Sequence, residues 1–85
     1  MKVRKFRIFR FQYGISAREI GEACVVSQQR ISEIELNPEV WLREETRQRL
    51  WGGFDLLIRR RHEIDGEYQR CKATLFDAVE EVPNV

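Results

Sequence analysis

Along most of this chain, apolar residues recur at intervals of three and four positions, with polar residues between them. This period is typical of amphipathic α-helices, in which residues spaced in this way share one face. The first such segment runs from Val3 to Tyr13, and Gly14 is suited to end it because glycine readily takes the left-handed conformation of a helix C-terminus. The pattern is interrupted at Asn37-Pro38, since proline disfavours helical geometry at the residue before it. We therefore predict an all-α fold.

Residues 14–35 have the pattern of two short helices joined by a tight turn. Ser16 and Glu19 have the spacing of a capping box, in which the serine hydroxyl accepts from a backbone N–H and the glutamate reaches back. Ser27 is suited to cap the second helix. The apolar residues at helical spacing are Ile20, Cys24, Ile31 and Ile34. The second helix leaves a polar face, which consists of Gln28, Gln29, Arg30, Ser32 and Glu33.

A connecting loop over residues 37–42 follows, and we expect Val40 and Trp41 to fold over the core. Helicity resumes near Arg43, with acidic residues favourably placed in the first turn. Gly52-Gly53 predicts a kink or an end of that helix, because glycine weakens a helix interior. Residues 1–53 are thus predicted to form a compact head of four short helices.

Beyond the head, the spacing of three and four continues as a heptad seam. Its positions are Phe54, Leu57, Arg61, Ile64, Tyr68, Cys71, Leu75, Ala78 and Val82. This seam predicts a long C-terminal helix over residues 54–82, with residues 83–85 as a tail after the break at Pro83. Such a seam favours dimerisation, through Leu57, Ile64, Tyr68, Cys71, Leu75 and Ala78.

The direction of the dimer stays open. A parallel pair would match Arg60 with Asp65 of a second copy, whereas an antiparallel pair would set Arg61 against Ala78 instead of against another arginine. The antiparallel pair packs better on that argument. The alternative is that the last helix folds back on its own head.

Composition narrows the class of protein. The 85 residues are 42% hydrophobic and 34% charged, which is enough for one small globular domain with an appendage. Residues 1–62 carry a net charge of +5 and residues 63–85 a net charge of −4. A basic head suits a polyanion partner, although a solvated surface explains the same charges. No apolar run approaches the ~20 residues that span a bilayer, so we expect a cytoplasmic protein.

Nothing in the sequence indicates catalysis. His62 is the one histidine and follows three arginines, which is typical of a solvated surface. No cluster has the spacing of metal ligands, and no glycine-rich loop has the lysine that cradles phosphate. Cys24 and Cys71 lie in separate helical patterns, which does not indicate a disulfide. We expect no enzyme activity, no cofactor and no metal.

The head resembles the Cro/repressor-type, or XRE-like, helix-turn-helix family of phage and bacterial regulators. The residues that carry the resemblance lie between Phe6 and Phe54: Phe9-Arg10, Gly14, Ile15-Ser16, Ile20, Val26-Ser27-Gln28, Ile31-Ser32 and Ile34-Glu35. The resemblance implies a structural ion pair between Arg10 and Glu35. Two positions depart from the family: Val25 stands where a turn glycine is usual, and Gly21 where an alanine is usual.

The resemblance also implies that the helix from Gln28 enters the major groove of DNA. The residues expected to read bases are Gln28, Gln29, Arg30 and Glu33. Glutamine amides match adenine, arginine can bind guanine or a phosphate, and glutamate can accept from cytosine. The residues expected to contact phosphates are Ser27, Ser32, Lys2, Arg4, Lys5 and Arg43. The other interpretation of the polar helix face is an ordinary solvent-facing surface.

We therefore expect a transcriptional regulator whose partners are double-stranded DNA and a second copy of itself. It would bind an inverted-repeat operator as a dimer and repress by occlusion, or less simply recruit polymerase. The alternative is a protein-interaction module of the same fold, such as an antitoxin-like partner or an accessory factor of a mobile element. No membrane partner or small-molecule effector is evident.

Overall fold

A computed structural model of the protein describes residues 1–81. Within these residues the chain forms five α-helices and a small two-stranded sheet. The elements in chain order are β1 (Lys2–Arg4), α1 (Lys5–Gln12), α2 (Ala17–Cys24), α3 (Gln28–Leu36), α4 (Glu44–Arg59), α5 (Asp65–Cys71) and β2 (Ala78–Glu80). Short 3-10 turns over His62–Ile64 and Lys72–Thr74 flank α5. The prediction of a mostly helical protein is confirmed, whereas the sequence pattern does not predict the sheet.

Local capping sets the boundaries of the first three helices. The Ser16 hydroxyl accepts from the Glu19 backbone N–H at 3.0 Å, and the Glu19 carboxylate accepts from the Ser16 N–H at 3.1 Å, so the capping box is present. The Ser27 hydroxyl caps α3 by accepting from the Arg30 N–H at 3.1 Å. Gly14 has a φ of +66° after α1, as expected of a residue that ends a helix in the left-handed region.

The small sheet joins the two ends of the described chain. β1 and β2 are antiparallel, with Val3 opposite Val79. The backbone N–H groups of Lys5 and Phe6 donate to carbonyls of the C-terminal segment, both at 2.7 Å. Because the carbonyls of Asp77 and Leu75 satisfy these donors, α1 begins at Lys5 and not at Val3 as predicted.

The glycine pair does not end α4, which runs through Gly52 and Gly53 for 16 residues. The prediction that the helix ends at these glycines is therefore wrong. Gly53 serves a close approach instead, because a β-carbon there would lie 2.1 Å from the Cys24 sulfur and 3.0 Å from the Cys24 nitrogen. The absence of a side chain at this position lets α4 pack directly against α2.

The long C-terminal helix predicted over residues 54–82 is also wrong as far as the described residues 54–81 show, while Val82 and the predicted tail over residues 83–85 lie outside the described residues. Helix α4 ends at Arg59, and Arg61 has non-helical dihedrals of φ −129° and ψ 72°. The Arg61 guanidinium donates to the Tyr13 carbonyl at 3.0 Å and to the Glu19 carboxylate at 2.7 Å. The chain therefore reverses at the one charged position of the seam, where the side chain finds partners on the head. The fold-back alternative describes this arrangement.

The seam residues belong to the core of the single chain. Five of the six residues predicted for dimerisation are buried there, namely Leu57, Ile64, Tyr68, Cys71 and Leu75. The sixth, Ala78, lies exposed in β2. Aromatic rings from both parts of the chain meet in this core: the Phe6 and Phe54 centroids are 5.7 Å apart, and those of Phe9 and Tyr68 are 5.9 Å apart. The apolar face that a coiled-coil dimer needs is thus used within one protomer.

The loop after α3 differs from the expectation in its side chains. Val40 and Trp41 do not fold over the core, since their exposed fractions are 55% and 74%. Leu42 is buried in their place. Leu42 is thus the residue of this loop that packs in the core, while Val40 and Trp41 face solvent.

Candidate nucleic-acid interface

The turn between α2 and α3 is closed despite the valine in it. Val25 adopts the left-handed conformation, with φ 59° and ψ 45°, at the C-terminus of α2. The Val26 N–H donates to the Gly21 carbonyl at 2.9 Å and closes the turn. The Val25 side chain is 82% exposed, so it clashes with nothing beyond its own backbone. A β-branched residue in this region is strained by roughly 1–2 kcal/mol.

Gly21 is required by this turn. A β-carbon at Gly21 would lie 2.7 Å from the Val26 carbonyl oxygen, which is a backbone atom that cannot rotate away. The absence of a side chain at Gly21 therefore allows the Val26 carbonyl to lie close to α2. Gly21 and Val25 both shape residues 21–26.

Helix α3 has one buried face and one exposed face. Ile31, Ile34 and Glu35 are buried against the core. The side chains expected to read bases are all exposed: Gln28, Gln29, Arg30 and Glu33. Within the described residues, neither glutamine side chain makes an internal hydrogen bond. The amides at the start of α3 are thus free to bind an external partner.

A buried ionic network fastens the back of α3. The Arg10 guanidinium donates to both oxygens of Glu35, at 2.6 and 2.8 Å, and to the Ile15 carbonyl at 3.1 Å. Arg7 adds a contact to Glu35 at 3.2 Å. The ion pair that the resemblance implies is therefore present, and Arg7 is a member of it that sequence reasoning missed. Bidentate pairs of this kind fix orientation as well as adding energy.

Arg4 is not a phosphate contact, and that prediction is wrong. Its side chain is only 3% exposed. The guanidinium donates to the carbonyls of Ile34 at 3.0 Å and of Phe76 at 3.1 Å, and also to those of Asn37 and Val40. Burial, with a smaller contribution from the nearby charge of Arg47, lowers the pKa of Arg4. Arg4 instead connects the C-terminal end of α3 to the following loop and to the segment before β2, at Phe76.

The other predicted phosphate contacts are placed unequally. Lys2 and Arg43 are exposed, whereas Lys5 is half-buried and donates to the Thr74 hydroxyl at 2.9 Å. Ser32 is half-buried on α3, and the Ser27 oxygen accepts the capping bond described above. Lys2 and Arg43 therefore remain available for an anion, while Lys5 is engaged inside the protein.

The exposed charges of α2 and α3 include one ion pair on each helix. Arg30 lies 3.4 Å from Glu33 across one turn of α3, and Arg18 lies 3.1 Å from Glu22 on α2. Exposed pairs of this kind contribute little to stability. Because each pair joins opposite charges, neither helix gains a net attraction for a polyanion from it.

A metal centre or a reactive thiol finds no support in the described part of the chain. Among residues 1–81, no group of three or more His, Cys, Asp or Glu side chains could hold a metal ion. No helix in this range is both long and apolar enough to cross a membrane. Burial raises the pKa of the Cys24 thiol to about 11, which makes it a poor nucleophile.

No family model matches the chain, and neither the comparison with curated proteins nor that with solved structures finds a match.

Proposed function

We propose that this protein is a sequence-specific DNA-binding regulator that acts by inserting α3 into the major groove. The observation that carries the proposal is the arrangement of α3 itself. Its first turn presents Gln28 and Gln29 without internal partners among the described residues, while Glu35 on its opposite side is held by Arg10. A rigidly held helix with free polar side chains at its N-terminus is the arrangement by which helix-turn-helix proteins read base edges.

Direct readout would come from the two glutamines. Each amide offers a donor and an acceptor, which match N6 and N7 of adenine, and a good bidentate pair discriminates by ~1–3 kcal/mol. Arg30 would bind guanine or a phosphate, and Glu33 would accept from cytosine. Their contact at 3.4 Å is loose enough for either side chain to exchange it for a base.

Phosphate contacts would come from polar groups around α3. Arg43 is exposed at the start of α4, and Ser32 is half-buried on α3 itself. The backbone N–H groups at the N-termini of α2 and α3 are further donors, because a helix N-terminus favours an anion. Arg4 and Lys5 take no part in this proposal because both are engaged inside the fold.

In this proposal the regulator acts in the cytoplasm and represses transcription by occupying an inverted repeat with two copies. Two heads are needed because one recognition helix covers only a small site. The coiled-coil seam cannot join them while it forms the core, so any dimer uses another surface.

Selection from a random DNA pool tests the proposal, followed by affinity measurements on the enriched sequence. The variant Gln28→Ala/Gln29→Ala should lose ~10-fold or more in affinity for that sequence and little for unrelated DNA, since glutamine contacts specify rather than position. Gln69→Ala is the matched control, because Gln69 is also exposed, on α5. A pool without enrichment would reject sequence-specific binding, and equal affinities of the variants would reject readout by these glutamines.

The second candidate function is a protein-interaction module that uses the same fold. The balanced charges of α3 and the 74% exposure of Trp41 favour it. Under this alternative the protein would enrich no DNA sequence even at low salt, where non-specific binding is strongest.

A further inference from the structure

Three apolar side chains lie exposed where α3 gives way to the loop before α4. Leu36 is 40%, Val40 55% and Trp41 74% exposed, and we call these three residues the Trp41 patch. Leu36 and Val40 also line an open groove of about 420 Å³. The remaining residues of this groove are Lys2, Asn37, Pro38 and Glu39. Trp41 does not line this groove but follows Val40 directly in the chain. Exposed apolar side chains grouped beside a polar rim are typical of an interaction surface.

The rim of the groove carries one charge of each sign. Lys2 and Glu39 are both exposed, and neither makes an ion pair with any of the residues 1–81. The chain around the patch adds Arg43, Glu44 and Glu45, so acidic groups slightly outnumber basic ones. This balance gives the patch no net attraction for a polyanion, whereas a surface with the same two charges as Lys2 and Glu39 would be complementary to the rim.

The patch on a second copy of this chain carries the same two charges, those of Lys2 and Glu39. In a two-fold symmetric contact the same patch occurs on both sides, so each positive group of one copy can face the negative group of the other. We propose that the Trp41 patch and its groove bind a second copy of this chain, with Lys2 of each protomer facing Glu39 of the other.

This contact would supply the dimer that the proposed function requires. It rests on the proposed function in one respect only, namely that two joined heads would read an inverted repeat. It assigns Lys2 to the second copy rather than to a DNA phosphate. The patch lies at the C-terminal end of α3, away from Gln28 and Gln29 at its N-terminal end, and only its Val40 also lines a pocket with Arg30 and Glu33.

The chemistry of the patch fits the centre of a small interface. Tryptophan is enriched among residues that dominate binding energy, and its rigid ring loses little entropy on burial. Standard interfaces bury ~800 Å² on each partner, of which one large aromatic side chain supplies a substantial share. Trp41 is therefore expected to dominate the association.

Sedimentation velocity of the full chain without DNA, over a range of concentrations, tests this proposal. Wild-type protein should pass from monomer to dimer, and Trp41→Ala should weaken the dimer by about tenfold or more. Leu56→Ala is the control, because Leu56 is an exposed apolar residue on α4 outside the patch. Circular dichroism checks that both variants are folded. A wild-type chain that stays monomeric at every concentration, or a Trp41→Ala variant that dimerises normally, would overturn the proposal.

A mixing experiment tests the charge pairing. Lys2→Glu and Glu39→Lys should each weaken self-association, because like charges then face one another across the two-fold axis. An equal mixture of the two variants should dimerise again, since both contacts across the axis of the mixed dimer then join one acidic and one basic side chain. No effect within one chain can produce this rescue. Absence of rescue would overturn the pairing.

Measurements of DNA affinity distinguish a second copy from DNA as the binding partner of the patch. If Trp41→Ala lowers affinity equally for all sequences and leaves the oligomeric state unchanged, the patch binds the DNA backbone and the proposal fails. A monomer that still selects one DNA sequence would leave the proposed function intact and overturn only the self-association.

Discussion

At its C-terminal end α3 is held by buried charged groups, whereas at its N-terminal end it is held by one serine hydroxyl and the turn before it. Glu35 lies buried between the guanidinium groups of Arg10 and Arg7. The Arg4 guanidinium donates to the neighbouring Ile34 carbonyl. Ser27 alone caps the other end. The difference shows how one helix can be oriented firmly while its first turn keeps free side chains for a partner.

Removal of the buried charge at the C-terminal end should have the largest effect. Glu35→Gln keeps the size of the side chain but leaves Arg10 without its counter-charge, and breaking a buried pair in this way costs ~3–5 kcal/mol. Urea unfolding gives the change in the free energy of unfolding. Glu33→Gln is the matched control two residues earlier, since its exposed pair with Arg30 contributes at most ~1 kcal/mol. Similar losses in the two variants would contradict the anchoring role of Glu35.

A side chain at Gly21 should disturb the turn at the other end. Gly21→Ala places a methyl group against the Val26 carbonyl, so we expect a loss of ~1–3 kcal/mol in the free energy of unfolding, despite the better helix propensity of alanine. Gly52→Ala is the control, because a β-carbon there meets nothing within 4 Å. That variant should gain ~1 kcal/mol from helix propensity. An equal gain at Gly21 would show that the turn has room.

Loss of the α3 cap should cost less. Ser27→Ala removes the acceptor for the Arg30 N–H, which typically lowers stability by ~1 kcal/mol. Amide hydrogen exchange should show faster exchange in the first turn of α3 and unchanged protection near Glu35. Ser27→Asp, which can cap as well, should restore both stability and protection. Faster exchange along all of α3 would mean that the two ends are not held independently.

Relief of the strained valine should stabilise the protein slightly. Val25→Gly removes a left-handed β-branched residue, and the gain of roughly 1–2 kcal/mol is partly offset by ~0.5–1 kcal/mol of glycine flexibility. Thermal unfolding should therefore show a small rise in midpoint. Val25→Ala, which keeps a β-carbon in the same conformation, should rise less. A fall in the midpoint for Val25→Gly would mean that the exposed valine contributes contacts of its own.

The smallest effect concerns pH. The hydrogen bond from the Ser16 backbone lowers the pKa of Glu19, and the charge and hydrogen bond of Arg61 add to this effect against partial burial. A carboxylate with a lowered pKa stabilises the fold above its ordinary pKa of 4.5, and this contribution is lost as the pH falls through the lowered value. Glu19→Gln should be less stable at neutral pH and show a shallower acid limb in urea titrations. Glu22→Gln serves as the exposed control, and an equally shallow acid limb in that variant would contradict the role of Glu19.

The termini of α1, α2 and α3 were accessible to sequence reasoning because capping involves residues within four positions of one another. Ser16, Ser27 and Gly14 needed no knowledge of the rest of the chain. The position of Arg4 could not be found in this way. In the sequence, a basic residue near the N-terminus has the features of a phosphate contact. The pairing of β1 with β2 brings the Arg4 side chain to the Phe76 carbonyl inside the protein.

The seam over residues 54–82 shows the same limit on a larger scale. Apolar spacing states that a face is to be buried, but it does not state what covers it. A second copy and the chain's own head satisfy the pattern equally well. The head presents Phe6 and Phe9 to Phe54 and Tyr68 in the same molecule, and Arg61 finds partners at the reversal. Intramolecular burial has no concentration dependence, which favours it over association.

The amino-acid sequence by itself thus determined the local features of this protein: the helix caps, the break before Pro38, and the polar face of α3 with Gln28 and Gln29. The tertiary structure decided which groups are available. Within the described residues, Arg4 and most of the seam are buried, α4 continues through Gly52 and Gly53, and Trp41 is exposed. The physical reason is the distance along the chain between interacting groups. Caps and turns are satisfied by near neighbours, whereas the burial of Arg4 depends on a carbonyl that lies 72 positions away.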